Sequence, residues 1–233
     1  MSTLVLELSG PLQSWGDASR FVRRSTRALP SKSGVIGLLA AAQGRRRADP
    51  LEHLASLRFG VRQDQAGALV RDFQTAIDWR TGKSMPLSQR YYLSDAKYLA
   101  MVEGDQDLLE GLAEAVRSPV FPLYLGRRSC PPDRPLVLGV REGSVRDAIA
   151  DEPWVASSWW KKRQPQKVRL LWSRDAVPTE SPDESLHDVP VSFDPRHREY
   201  VWRDVVHGWL TVENPEGRKM AEHDPFALLG GDA

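Results

Sequence analysis

The sequence predicts an α+β fold: an antiparallel sheet with helices on one face, an inserted thumb and a smaller β-rich C-terminal region. Three observations carry that prediction. Leu4, Leu6 and Leu8 alternate with Val5 and Glu7, the period-two pattern of a strand with one buried face. Val35, Leu38, Leu39 and Ala42, and later Leu108, Leu109, Leu112 and Val116, recur at helical spacing. A polar stretch from Asp78 to Arg90, carrying Gly82 and Pro86, interrupts what otherwise read as strands.

Taken in order, the first strand is followed by a polar loop from Ser9 to Leu29. Ser31, after Pro30, is a candidate N-cap for a helix that runs to Gln43 and stops at Gly44. Leu51 to Leu57 is a short helix candidate. Arg58 to Gln63 and Ala68 to Ile77 read as two strands joined by the turn-like Asp64–Gln65–Ala66–Gly67. Tyr91 to Val102 reads as one strand. Asp107 to Val116 is a helix with a carboxylate-rich first turn, and Leu136 to Val140 is a strand. The order β, α, β, β, insertion, β, α, β is that of a split β-α-β sheet of the ferredoxin-like or RRM-like kind. Residues 1–150 are therefore expected to form a palm domain, with the thumb at 77–90. Residues 151–233 form the C-terminal region, in which Val168 to Trp172 and Tyr200 to Val206 are strands and Val177 to Val189 is a loop. The tail after Asn214 is expected to be disordered.

Composition narrows the function. The chain has 233 residues, 41% of them hydrophobic and 27% charged, an ordinary globular balance. No signal peptide opens it, and no run approaches the ~18 apolar residues of a membrane span, so no membrane partner is expected. The single cysteine, Cys130, excludes an internal disulfide and fits a reducing cytoplasm. The net charge of +1 conceals segregation: Arg20 to Arg47 holds eight basic residues and no acidic one. Lys161 to Arg174 holds six more basic residues, while Glu103–Glu114 and Asp175–Asp188 carry five carboxylates each. A near-neutral protein with local basic stripes points to a polyanion held on one face.

Two motifs locate that face. Arg24-x-x-Arg27-x-x-x-Ser31-Lys32-Ser33 lies at the start of a helix, where unpaired N–H groups and the helix dipole favour anions and arginines add bidentate phosphate contacts. Lys32–Ser33 lacks the upstream glycines of a P-loop. Leu125–Gly126–Arg127–Arg128–Ser129–Cys130–Pro131 offers a glycine turn, two arginines and a hydroxyl. Trp159 and Trp160, followed by three cations, have the chemistry of base stacking, though such tryptophans more often serve a core or an interface. The five histidines lack metal-ligand spacing and no GxSxG is present, so neither a metal nor another cofactor is expected. His53, Tyr91, Tyr92 and Lys97 are the residue types that metal-free RNA cleavage would use, with nothing in the sequence to bring them together.

The chain resembles the CasD subunits of type I-E CRISPR Cascade, within the RAMP class of RRM-like RNA binders. The residues that carry the resemblance are Gly10–Pro11–Leu12–Gln13–Ser14–Trp15–Gly16, the run Pro30 to Ala40 (PSKSGVIGLLA), Asp72–Phe73–Gln74–Thr75, Arg90–Tyr91–Tyr92–Leu93–Ser94–Asp95–Ala96 and Tyr124 to Pro131 (YLGRRSCP), in family order across residues 3–141. The resemblance implies a non-catalytic subunit with a palm and a thumb that holds the 5′ handle of the CRISPR guide RNA. It implies contacts to the backbone subunit CasC and the large subunit CasA, and to target DNA only indirectly. Arg24, Arg27, Ser31, Lys32, Ser33, Arg127, Arg128 and Ser129 are then the candidate RNA site, and Trp79, Arg80, Lys83 and Arg90 belong to the thumb. A related subtype implies the alternative, a metal-free endoribonuclease that processes CRISPR repeat RNA.

Overall fold

A computed structural model describes residues 1–16 and 23–218. The expectation for the tail after Asn214 falls mainly on residues outside those described.

β1 (Ser2–Ser9) is buried along its whole length and on both faces, not one. Leu4, Leu6 and Leu8 enter the main core, whereas Val5 enters a second cluster on the far side of the sheet. After β1 the chain enters the stretch expected as a loop, and it is not all loop. β2 (Leu12–Gln13) and β3 (Arg23–Arg24) add two short strands, and Trp15 between them is buried. The polar side chain of Gln13 is equally buried because it donates to the carbonyls of Leu8 and Ala96 at 3.0 and 2.8 Å.

α1 (Lys32–Ala42) starts and stops where expected: the Ser31 hydroxyl accepts the Gly34 N–H, and Gly44 takes φ +78° just beyond the last turn. α2 (Glu52–Ala55) is a single turn. β4 (Arg58–Gln65) and β5 (Ala68–Gln74) do not pair with each other; they lie in different sheets. The same division splits the expected strand Tyr91–Val102 into β6 (Ser88–Ser94) and β7 (Lys97–Gly104). Asp95, at φ 55°, turns the chain from one sheet into the other. α3 (Gln106–Arg117) is capped by Asp105, and β8 (Val137–Glu142) follows.

These elements give the sheet order β4-β7-β1-β8, antiparallel throughout, which is the split β-α-β arrangement. α1 and α3 cover one face. The other is covered by α4 (Val145–Asp151), a helix with no counterpart in the sequence reading, whose Val145, Ala148 and Ile149 pack on Val5, Leu99 and Met101. Each fully buried leucine in these layers contributes about 1.5–3 kcal/mol relative to an exposed one.

After the single turn α5 (Ser158–Lys161), the chain adds three long strands to the same sheet: β9 (Lys167–Asp175), β10 (Glu184–Ser192) and β11 (Glu199–Glu213). β9 pairs with β4 and extends the sheet to seven strands, in the order β10-β11-β9-β4-β7-β1-β8. β10 occupies residues expected as loop; its register with β11 shifts at His187/Val189 and again at Pro190/Ser192, as befits an edge strand that contains proline.

The second sheet is a ribbon of β5 and β6, with β2 and β3 along β6. Leu69 and Phe73 on β5, and Ile77, Trp79, Met85 and Leu87 in the connection from β5 to β6, are exposed. No helix among the described residues is long and apolar enough to cross a membrane.

Candidate nucleic-acid interface

The segments singled out by sequence meet at one place. Ser14 N–H donates to the Leu125 carbonyl at 3.1 Å and Ser14 Oγ to the Tyr91 carbonyl at 3.0 Å, which joins the loop after β1, β6 and the loop after α3. Gly126 is required by this junction: its φ is +86°, and a Cβ there would sit 1.8 Å from the Ser14 carbonyl oxygen. Gly34 has the same role on the helix side, since a Cβ would lie 2.8 Å from the Trp15 ring.

Arg127 and Arg128 are adjacent in sequence and opposite in situation. The Arg127 guanidinium donates to the carbonyls of Tyr91 at 3.2 Å, Arg24 at 2.8 Å and Ser25 at 3.4 Å, and lies 4.9 Å from the centre of the Tyr92 ring. It ties the segment that carries β3 to β6. Arg128 is exposed and its side chain has no hydrogen-bond or ion-pair partner among the described residues. Ser129 shares a 3.4 Å contact with the Tyr92 hydroxyl. Next to it Cys130 is buried, and burial pushes its thiol pKa up.

The α1 terminus departs most from expectation. Lys32 is buried, and its ammonium is 3.0 Å from Asp175. Its backbone N–H, one of the donors expected to face a phosphate, donates instead to Asp188 at 2.8 Å. Arg203 binds Asp188 through two bonds of 2.6 and 3.1 Å and Asp175 at 2.6 Å, which completes a network of two cations and two carboxylates. Lys32 thus faces the C-terminal strands rather than solvent. Ser31 is occupied as the helix cap.

Arg24 is exposed on β3, opposite Arg90 of β6 in register, and Arg23 lies 5.2 Å from the Tyr91 ring centre. Arg27 pairs with Glu184 at 3.2 Å. Of the residues expected in a thumb, Trp79, Arg80 and Lys83 lie in the connection between β5 and β6, with Trp79 88% exposed, Arg80 5.8 Å from its ring and Lys83 exposed, and Arg90 is within β6. Trp159, on α5, is half exposed beneath Arg163, away from these motifs in the chain and on a different element.

From this junction an open groove of about 880 Å³ runs along α1. Ser31, Ser33 and Arg128 lie in its wall with Arg45, Arg46, Arg47 and Arg198, and among the described residues no carboxylate lines it. Phe121, Tyr124, Phe193 and Tyr200 supply ring surface. The sequence held two signals for this groove, the acid-free stretch that ends at Arg47 and the Tyr124–Pro131 motif. Phe193 and Arg198, from the distant β10–β11 connection, and Tyr200, at the start of β11, had none. Such a lining suits a single-stranded polyanion: arginines for phosphates, rings for bases.

Among the described residues there is no group of three or more metal-capable side chains. His53 is on α2, where burial and then Arg45 lower its pKa, while Tyr91 and Tyr92 are on β6 and Lys97 begins β7 beside Glu7 at 3.8 Å. No hydrogen bond among the described residues joins His53 to the other three.

Comparison with known proteins places the chain in a family. A family model described as CRISPR-associated protein (Cas_Cas5) matches residues 3–206. The chain is 36% identical over 163 residues to the CRISPR system Cascade subunit CasD of Escherichia coli (strain K12), an alignment that covers 61% of this chain and 73% of that one. Among solved structures, a chain of a CRISPR RNA-guided surveillance complex superposes with a TM-score of 0.73 at 30% identity, covering 97% of this chain and 98% of that one. A crystal structure titled only as a Cas protein superposes with a TM-score of 0.62 at 35% identity, covering 93% and 98%. The match spans both the palm sheet and the C-terminal strands, and the chain belongs to the CRISPR-associated Cas_Cas5 family.

Proposed function

We propose that the chain is a non-catalytic subunit of a type I-E Cascade surveillance complex, holding the 5′ handle of the guide RNA and joining the large subunit CasA to the CasC backbone. The observation that carries this reading is the junction itself: an exposed Arg128 with no side-chain partner among the described residues, and a groove that draws arginines and, among those residues, no carboxylate, beside a loop locked by Ser14, Gly126 and Arg127. Arg24, Arg27, Ser31, Ser33, Arg128 and Ser129 line the RNA path. Arg127 and Lys32 position that path, since their charges are turned onto the protein's own carbonyls and carboxylates. Residues 1–150 act as the palm and 151–233 as the C-terminal region. The ribbon, with Trp79, Arg80, Lys83 and Arg90, is the thumb that lies along the guide next to the first backbone subunit.

The test is a salt titration of affinity for RNA with an intact handle and with a shuffled handle, using the assembled complex. Tighter binding of the intact handle that Arg128→Ala erodes supports the reading; equal binding of both RNAs contradicts it. Specific cleavage of repeat RNA that survives further purification and is lost in Tyr92→Phe or His53→Ala would contradict the non-catalytic part.

A further inference from the structure

We infer that the end of the sheet around α5 is a second nucleic-acid site, which holds a single strand by its phosphates on Lys162, Arg163 and Arg169 and seats one base beside Trp159. None of these four residues lines the groove along α1.

Charge points there first. From Pro153 to Arg174 the chain carries six basic residues and no acidic one. Two of the six are turned inward, Arg174 onto Glu180 and Lys161 onto the Trp154 carbonyl at 3.1 Å. The other four are exposed. Lys167 pairs with Glu213 at 3.5 Å, but the side chains of Lys162, Arg163 and Arg169 have no hydrogen-bond or ion-pair partner among the described residues.

The fold gathers these cations. The buried side chain of Asn214 donates to the carbonyls of Lys161 and Pro165 at 2.8 and 2.9 Å, and the Arg218 N–H donates to the Gln164 carbonyl at 2.9 Å. Gly217 permits this approach, since a Cβ there would lie 2.5 Å from the Pro165 carbonyl oxygen. The end of β11 is thereby tied to the turn that carries Lys162 and Arg163. From the Lys167–Glu213 rung to the Leu171–Trp209 rung is four residues, or about 13 Å, so Arg169 and Trp209 lie at the same end of the sheet. Two exposed indoles each carry a guanidinium: Arg163 is 5.2 Å from the centre of the Trp159 ring and Arg169 is 4.8 Å from that of Trp209. Cations beside exposed rings hold single strands through phosphate and base together.

A seat for a base lies next to them. Trp159 borders a cavity of about 210 Å³ with Gly10, Pro11, Asp95, Lys97 and Arg134. The cations there are matched: Glu7 lies 3.8 Å from Lys97 and 3.3 Å from Arg134, and Asp133 lies 3.1 Å from Arg134. The Asp95 carboxylate has no partner among the described residues. A phosphate gains nothing in such a cavity, whereas a base stacks on the indole and offers an amino group to the carboxylate.

The probes are a short labelled oligo-dC and an abasic strand of the same length, each titrated with salt against the full chain. For Lys162→Ala with Arg163→Ala, the log–log salt slope should flatten by about 1.4 on both strands, two phosphates at ~0.7 each. Trp159→Ala should weaken oligo-dC binding about tenfold with slope and melting temperature unchanged, and should have no effect on the abasic strand. Trp159→Phe should restore most of that loss. An unchanged slope in the double variant, or a Trp159→Ala effect equal on both strands, overturns the inference. In the assembled complex with guide RNA and DNA present, the peptide that carries Trp159 should crosslink to nucleic acid, and mass spectrometry then tells a guide nucleotide from a DNA nucleotide. Crosslinks from that peptide to protein alone would mark a protein-docking surface and overturn the inference. Handle binding uses none of these residues, so the loss of this site leaves that reading standing.

Discussion

The Asp188 carboxylate accepts the Lys32 N–H at 2.8 Å, so the end of α1 that would attract an external anion already holds an internal one. The same carboxylate binds Arg203, so the C-terminal strands are pinned to the helix that floors the groove.

Asp188→Ala should therefore lower unfolding stability by about 3 kcal/mol, because it leaves the Lys32 N–H buried without its acceptor and the buried Arg203 with Asp175 as its one remaining carboxylate. Lys32→Met should also destabilise the fold, yet leave the salt slope of RNA binding unchanged. Chemical denaturation and a salt titration on each variant check the two halves of this statement. A flattened slope in Lys32→Met would return Lys32 to the RNA surface.

Arg127 and Arg128 should separate by readout. Arg128→Ala should weaken handle binding about tenfold with no change in melting temperature, the expected size of a charge-assisted contact made only with ligand. Arg127→Lys keeps the charge but loses the fork that reaches three carbonyls, and it should raise hydrogen exchange at Arg24–Ser25 as well as weaken binding. Identical behaviour of the two variants would contradict the division between a contact residue and a positioning one.

Arg62 offers a test of the fold alone. Its side chain is fully buried and all five of its N–H groups are used, on Asp64 at 2.7 and 2.9 Å and on the carbonyls of Ile149, Glu152 and Pro153 at 2.7–2.9 Å. Arg62→Ala leaves the Asp64 charge buried and should cost about 3–5 kcal/mol in a urea titration. The double change with Asp64→Asn should cost less than the sum of the two single changes.

Stability should also depend on Tyr98 at high pH. Burial pushes its phenol from 10.0 up to about 12, against a smaller opposite effect of Gln63, and the hydroxyl donates to the Ala28 carbonyl at 2.6 Å. Because the folded-state pKa is the higher one, this contribution is fully present below pH 10 and is lost as pH rises from 10 to 12. Two pK units correspond to about 2–3 kcal/mol. The stability gap between wild type and Tyr98→Phe should narrow across that window, as measured by denaturant titrations at stepped pH. A constant gap would contradict it.

Much of the palm was legible in the sequence because period and caps agree with the final packing: β1 from its leucines, α1 from Ser31 to Gly44, α3 from its amphipathic stripe. The breaks between the two sheets were not. Tyr91–Val102 is a continuous strand-like run, and its division rests on one residue, Asp95, whose carbonyl accepts from Gln65 while Gln13 donates to the next carbonyl, of Ala96, contacts that only the fold creates. The first part of β10 read as loop because it falls in the Pro- and Asp-rich stretch Val177 to Val189, while its strand character comes from β11. Local chemistry likewise could not show that Lys32 would meet Asp175, 143 residues later. Nor could it show that Arg198 and Tyr200 would close the groove opposite α1.

The most direct test of the handle reading is protein–RNA crosslinking in the assembled complex, with crosslinked peptides and nucleotides both identified by mass spectrometry. The account predicts crosslinks between handle nucleotides and the peptides that carry Arg24, Tyr124 and Arg128. Crosslinks from this chain confined to the spacer portion of the guide, or none from these peptides in an intact complex, would contradict it.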